Sequence, residues 1–185
     1  MIDTERADII ADLALARANL IATTRGLTDE QAAARPTVSE LCLGGVLKHV
    51  AAMEENWLRF VTEGPAALSF DLPEGVTWAD ITSGTAREYP QWLIDHQNEF
   101  RLLPGDTLPN LLARYTQVAS RTEEIIAALP DLSATRLLPN APWDENPAAE
   151  QSLRRVLAHV LVEITQHTGH AEIIRETLDS QVSAG

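Results

Sequence analysis

Lysine is all but missing from this sequence: Lys48 stands alone beside thirteen arginines. With abundant alanine, that bias points to a GC-rich bacterial genome and says nothing about chemistry. Cysteine is equally scarce. Cys42 is the only one, so no disulfide can form within the chain. No basic start followed by an apolar core opens the N-terminus, and a cytoplasmic protein is the expectation. No apolar run approaches the roughly 18 residues needed to cross a bilayer, so no membrane partner is expected. Positive charge is short as well. The 14 basic residues face 27 acidic ones, a formal net charge of -13, and such a field repels nucleic acid and anionic lipid. Nor does any stretch alternate apolar and polar residues for long enough to argue for a strand, which leaves an all-α fold.

What is present is helical periodicity. At 185 residues and 45% hydrophobic content the chain can build one substantial core, and residues 1–185 read as a single domain. The first long helix runs from Asp3 or Thr4 to a stop at Gly26. Thr28 to Gln31 form a capping box that opens a short helix ended by Pro36. Thr37 to Glu40 read as a second box, opening a long helix that continues to about Glu63. Residues 65–106, broken by Pro and Gly, look like a long crossover with at most one helix, from near Pro90 to Phe100. A third long helix starts at Thr107 with Pro109 in its first turn and ends at Pro130. A loop spans 130–149, and the fourth helix covers about Glu150 to Leu178, with 179–185 frayed. Two helices, a long connection and two more helices pack most simply as a four-helix bundle.

The fourth helix carries "HVLVEITQHTGH", residues 159–170. His159, Glu163, His167 and His170 fall within an arc of about 80° on a helical wheel, overlapping the apolar face formed by Val156, Val160, Ile164 and Ala171. A carboxylate beside a core needs a cation near it. Residues four apart, as Glu163 and His167 are, have Cβ atoms roughly 5 to 6 Å apart and can meet one divalent ion. On the second helix His49 lies at the edge of an apolar arc containing Val46, Val50, Met53, Trp57 and Phe60, and can supply a third donor. Three protein ligands with open positions are the arrangement of a catalytic metal site. Two plainer readings stay open: Glu163 and His167 as a weak surface pair, and His49 as a hydrogen-bonded core histidine.

The second-helix stretch "GGVLKHVAAMEENWL" and the fourth-helix stretch "EITQHTGHAEIIRE", in this order and separation, resemble the DinB-like superfamily, in particular a branch related to mycothiol-dependent maleylpyruvate isomerase. The resemblance covers most of the chain. It implies a four-helix bundle with a long connection between helices two and three. It also implies a divalent metal, zinc first with nickel or iron as alternatives, held by His49, Glu163 and His167. Members of this group present the metal to the sulfur of a low-molecular-weight thiol, mycothiol or bacillithiol, and the implied activity is thiol S-transfer or isomerisation on a small-molecule substrate.

Around that set, His170 reads as an outer-sphere group or a base, with ligation in place of or beside His167 as the alternative, and His159 as a rim residue. Trp57 is the best candidate for a pocket wall; Trp78, Trp92 and Trp143 read as core or loop anchors. Glu54 reads as a paired structural carboxylate, Arg175 as a helix-end salt bridge and Cys42 as a small core residue. Two other functions compete with thiol transfer: a non-catalytic protein binding a small molecule or a partner, and a metal-dependent hydrolase with His170 as base. Bundles of this type often pair through exposed helix faces, so a homodimer is a further expectation.

Overall fold

A computed structural model describes residues 2–143 and 149–183. Four long helices form the bundle: α1 (Thr4–Ala22), α3 (Leu43–Glu63), α6 (Leu108–Ala128) and α7 (Leu153–Ser183). Shorter helices α2 (Asp29–Ala33), α4 (Trp78–Ser83) and α5 (Gln91–Glu99) lie in the connections. Around the bundle α3 packs on α6 and α7, and α1 packs on the same two helices. Helices α1 and α3 therefore face each other across the diagonal. The crossover between α3 and α6 returns along the bundle so that α5 packs against α3.

Local chemistry explains most of the boundaries. The Asp3 carboxylate accepts from the Arg6 amide at 2.9 Å and opens α1. Thr28 and Gln31 exchange the two bonds of a capping box at the start of α2. Helix α3 ends at Gly64, whose φ of 84° is open to glycine and strained for other residues. Thr107 caps α6, with Pro109 in the first turn.

Four expectations need correction. The box read at Thr37–Glu40 does not open a helix. Thr37 Oγ1 accepts from the Ser39 amide and Ser39 Oγ from the Leu41 amide, both at 3.2 Å, and these local turns compete with helical bonding. Helix α3 starts at Leu43 instead, with Cys42 as its cap and the Cys42 sulfur accepting from the Gly45 amide at 3.3 Å. The crossover holds two α-helices rather than one, besides a single 3-10 turn at Pro65–Ala67: α4 opens on a capping box between Thr77 and Asp80 and stops at Gly84. The loop 130–149 and the first turn read for the last helix contain a short antiparallel ladder, β1 (Thr135–Leu137) against β2 (Glu150–Ser152). Three-residue strands are too short to show alternation. Finally, α7 runs to Ser183 rather than ending at Leu178; residues 184–185 lie outside the described ones.

The core is one apolar cluster drawn from all four long helices, including Leu13, Leu20, Val46, Val50, Tyr115, Ile126, Leu157 and Ile164, with a smaller cluster around Phe60 and Val156. A polar knot sits inside it. Glu54 on α3 has no exposed surface. It accepts from Arg17 of α1 at Nη2 (2.6 Å) and Nε (3.2 Å), and from the Thr122 hydroxyl of α6. The expected structural pairing of Glu54 is thus present. Removing one partner of such a pair strands a buried charge and costs about 3–5 kcal/mol. Arg17→Met is therefore expected to lower the unfolding free energy by about that amount in urea titration, and Arg17→Met with Glu54→Leu to recover most of it. A single variant as stable as the wild type would contradict this account of the core.

Candidate metal centre

Helices α3 and α7 are in direct contact, and the contact carries the residues picked out by spacing. His49, Glu163 and His167 can each offer one ligand atom, and those atoms all lie within 4.8 Å of one another. His49 is buried, while Glu163 and His167 are partly buried. The His49 and His167 rings meet edge to face with centroids 4.8 Å apart. One carboxylate oxygen of Glu163 is 3.6 Å from His167 Nε2, and the other is 3.9 Å from His159 Nε2. Spacing along α7 thus puts Glu163 between two imidazoles.

The donor set fits a divalent cation. Two imidazoles and a carboxylate are ligand types suited to zinc, and a metal needs its imidazoles neutral. Burial, then electrostatic repulsion from the neighbouring imidazoles of His49 and His170, pushes His167 down from 6.5 to about 4. It is therefore neutral at pH 7. His167 Nδ1 is also buried with no hydrogen-bond partner, so part of this ring's bonding capacity is unused.

A second group of residues was not anticipated. His49 Nδ1 is 2.9 Å from a carboxylate oxygen of Glu99, the last residue of α5, and His96 Nδ1 is 3.3 Å from the same oxygen. Burial works to raise the Glu99 carboxyl, but the hydrogen bonds and charges of His49 and His96 outweigh it and hold it below the usual carboxylate range. Phe100 stacks on the His49 ring at 4.1 Å between centroids and 25° between planes. His49, His96 and Glu99 also form a cluster able to offer three ligand atoms, His96 being exposed. No spacing rule links positions 96 and 99 to 49, 163 or 167.

The other singled-out residues take varied places. His170 is exposed, its ring 5.4 Å from that of His167. Trp57 is half-buried between Phe60 and His159, meeting both edge to face. Trp78, Trp92 and Trp143 gather with Phe70 in one aromatic cluster on the crossover and the loop after α6. A cleft of about 530 Å³ lies beside it, with Phe70, Trp92, Trp143, His96, Glu99 and Arg114 in its wall. Residues 144–148, within the loop after α6, lie outside the described ones. Arg175 binds Asp179 at 2.9 Å and donates to the Thr23 and Arg25 carbonyls, a helix-end structural role. Cys42 is buried. Among the described residues, no helix is long and apolar enough to cross a membrane.

The sequence model of the mycothiol-S-transferase family matches residues 8–180. The chain belongs to the mycothiol-S-transferase family. No curated protein matches it. Among solved structures, the conserved protein of locus from Enterococcus faecalis superposes with a TM-score of 0.62 at 15% identity, covering 97% of this chain and 99% of that one. That likeness concerns the fold. Membership in the family gives the chain a transferase-type activity on a small molecule.

The low proton affinity of His167 has a consequence for stability. Its folded value, about 4, lies below the 6.5 of the free side chain, so between these limits the unfolded chain takes up a proton that the folded chain refuses. The stabilisation is complete above pH 6.5 and is lost as pH falls through the window. In metal-free protein, His167→Gln is expected to flatten the pH dependence of urea-unfolding free energy across that window relative to wild type. Parallel wild-type and variant profiles would contradict it.

Proposed function

We propose that this member of the mycothiol-S-transferase family is a metal-dependent thiol S-transferase in which His49, Glu163 and His167 hold one divalent ion, zinc before nickel or iron. The reading is supported by one observation: three donors of suitable type, from two helices, have ligand atoms within 4.8 Å of one another. A bound divalent cation stabilises thiolate over thiol and so supplies a sulfur nucleophile at neutral pH.

The remaining work falls to side chains of this chain. Glu163 contributes the one negative charge of the set, lessening the positive charge that a buried divalent ion brings. His167, neutral at pH 7, needs no deprotonation to ligate. The aromatic wall of Phe70, Trp92 and Trp143 lines a cleft that also reaches Glu99, the neighbour of His49, and this cleft is the volume assigned to the second substrate. His170, exposed beside His167, is placed to exchange protons with solvent as sulfur exchanges partners. The thiol is mycothiol, with bacillithiol as the alternative: its S–H proton passes to solvent, its sulfur forms a bond to an electrophilic carbon of the second substrate, and the bond from that carbon to the leaving group breaks, the leaving group departing with the electron pair.

Elemental analysis of protein purified without chelator is expected to give about one metal per chain. His49→Ala, Glu163→Ala and His167→Ala should each lose it; His96→Ala and His170→Ala should keep it. Turnover of model electrophiles with mycothiol or bacillithiol should fall in the first three variants by more than the roughly 10–100-fold that outer-sphere partners carry. Absence of stoichiometric metal from the wild type, or metal retained by His49→Ala, would overturn the proposal.

A further inference from the structure

Resting on the metal-centre reading above, the geometry points to Glu99 as the positioning residue for His49, and to Gly45 as the residue that admits Glu99 to it. A neutral imidazole carries one N–H and one lone pair, and the hydrogen bond made by one nitrogen decides which atom the other offers. Glu99 is a carboxylate and can only accept. At 2.9 Å from His49 Nδ1 it accepts a hydrogen bond from the Nδ1–H and so leaves Nε2 as the lone-pair atom for the volume shared with Glu163 and His167. Phe100 stacks on the same ring, so the imidazole is held both at its edge and on its face. The side chains of His49 and Glu99 are 8% and 17% exposed.

This contact requires the end of α5 to come unusually near α3, and the sequence of α3 allows it. Gly45 lies four residues before His49, on the same face of the helix. A Cβ on Gly45 would stand 2.1 Å from the Phe100 carbonyl oxygen, and one on Gly44 would stand 2.3 Å from a Leu102 methyl. The first clash is with backbone and cannot be relieved by a side-chain rotation. The Cys42 sulfur, which accepts from the Gly45 amide, also lies 3.9 Å from the Phe100 carbonyl. Two small residues and a cap thus dock the end of α5 where Glu99 meets the imidazole one turn along.

The competing arrangement is an ion held outside the bundle by His49, His96 and Glu99, where Glu99 would be a ligand. The test separates the two. Zn2+ affinity is measured by chelator competition for wild type, Glu99→Ala, Glu99→Gln, His96→Ala and Gly45→Ala. The His49 tautomer is read by 15N NMR on the metal-free proteins at mildly alkaline pH. Wild type should show Nδ1–H. Glu99→Ala should weaken zinc by about 10–100-fold and move His49 toward Nε2–H. Glu99→Gln, whose amide oxygen still accepts, should recover most of both effects, and His96→Ala should keep wild-type affinity. Gly45→Ala should shift the tautomer in the direction of Glu99→Ala; the Glu99 variants carry the test independently of whether that chain folds. Zinc affinity in Glu99→Ala within about threefold of wild type, Nε2–H in the wild type, or loss of zinc on His96→Ala would overturn the proposal. If the wild type binds no zinc, the metal-centre reading fails while the tautomer measurement still decides the role of Glu99.

Discussion

A carboxylate with no exposed surface lies at the middle of this bundle, and the rest of the arrangement is built around keeping it paired. Glu54 reaches across the diagonal from α3 to Arg17 of α1 and also takes the Thr122 hydroxyl of α6. Two nearly parallel N–H donors on a planar guanidinium leave little freedom of orientation, so the rotation of α3 about its own axis is fixed. Glu54 follows His49 by five residues, about 140° round the helix. Turning Glu54 toward α1 and α6 therefore turns His49 toward α7 and the end of α5. The buried pair and the candidate metal centre are two consequences of one helix orientation.

In the proposed centre the bundle would contribute asymmetrically: one helix would supply two donors at a spacing of four and its neighbour the third, while Glu99 at the end of a crossover helix meets that third residue. Burial that would otherwise penalise polar groups disfavours the charged form of His167 here. The aromatic cleft beside α5, about 530 Å³, has room for a small molecule. These features accord with the transferase activity that the family carries.

Much of this was written in the periodicity of the chain. The four long helices, the all-α bundle, the polar column on α7, the proximity of His49 to it and the pairing of Glu54 all follow from where apolar residues recur and where a charge intrudes among them. Short elements escape that reasoning. Helix α4 has six residues, less than two turns, and β1 and β2 have three each, too few for any period to emerge. The start of α3 was hidden by Thr37 and Ser39, whose hydroxyls bind nearby amides in turns rather than capping a helix. Glu99 and His96 escaped for a different reason: they reach the site through tertiary contact of the crossover, and nothing in their own spacing relates them to His49. The one local sign was the pair Gly44 and Gly45 inside a helix, costly for its propensity and explained only by a backbone lying against it.

The central claim is that α3 and α7 together hold a single ion between His49, Glu163 and His167. The most direct measurement is anomalous diffraction at the zinc edge from crystals of the zinc-loaded chain. The account predicts one peak bonded to a nitrogen of His49 and of His167 and to an oxygen of Glu163, at roughly 2.0 to 2.2 Å from each. A peak among His49, His96 and Glu99, or none between α3 and α7, would contradict it.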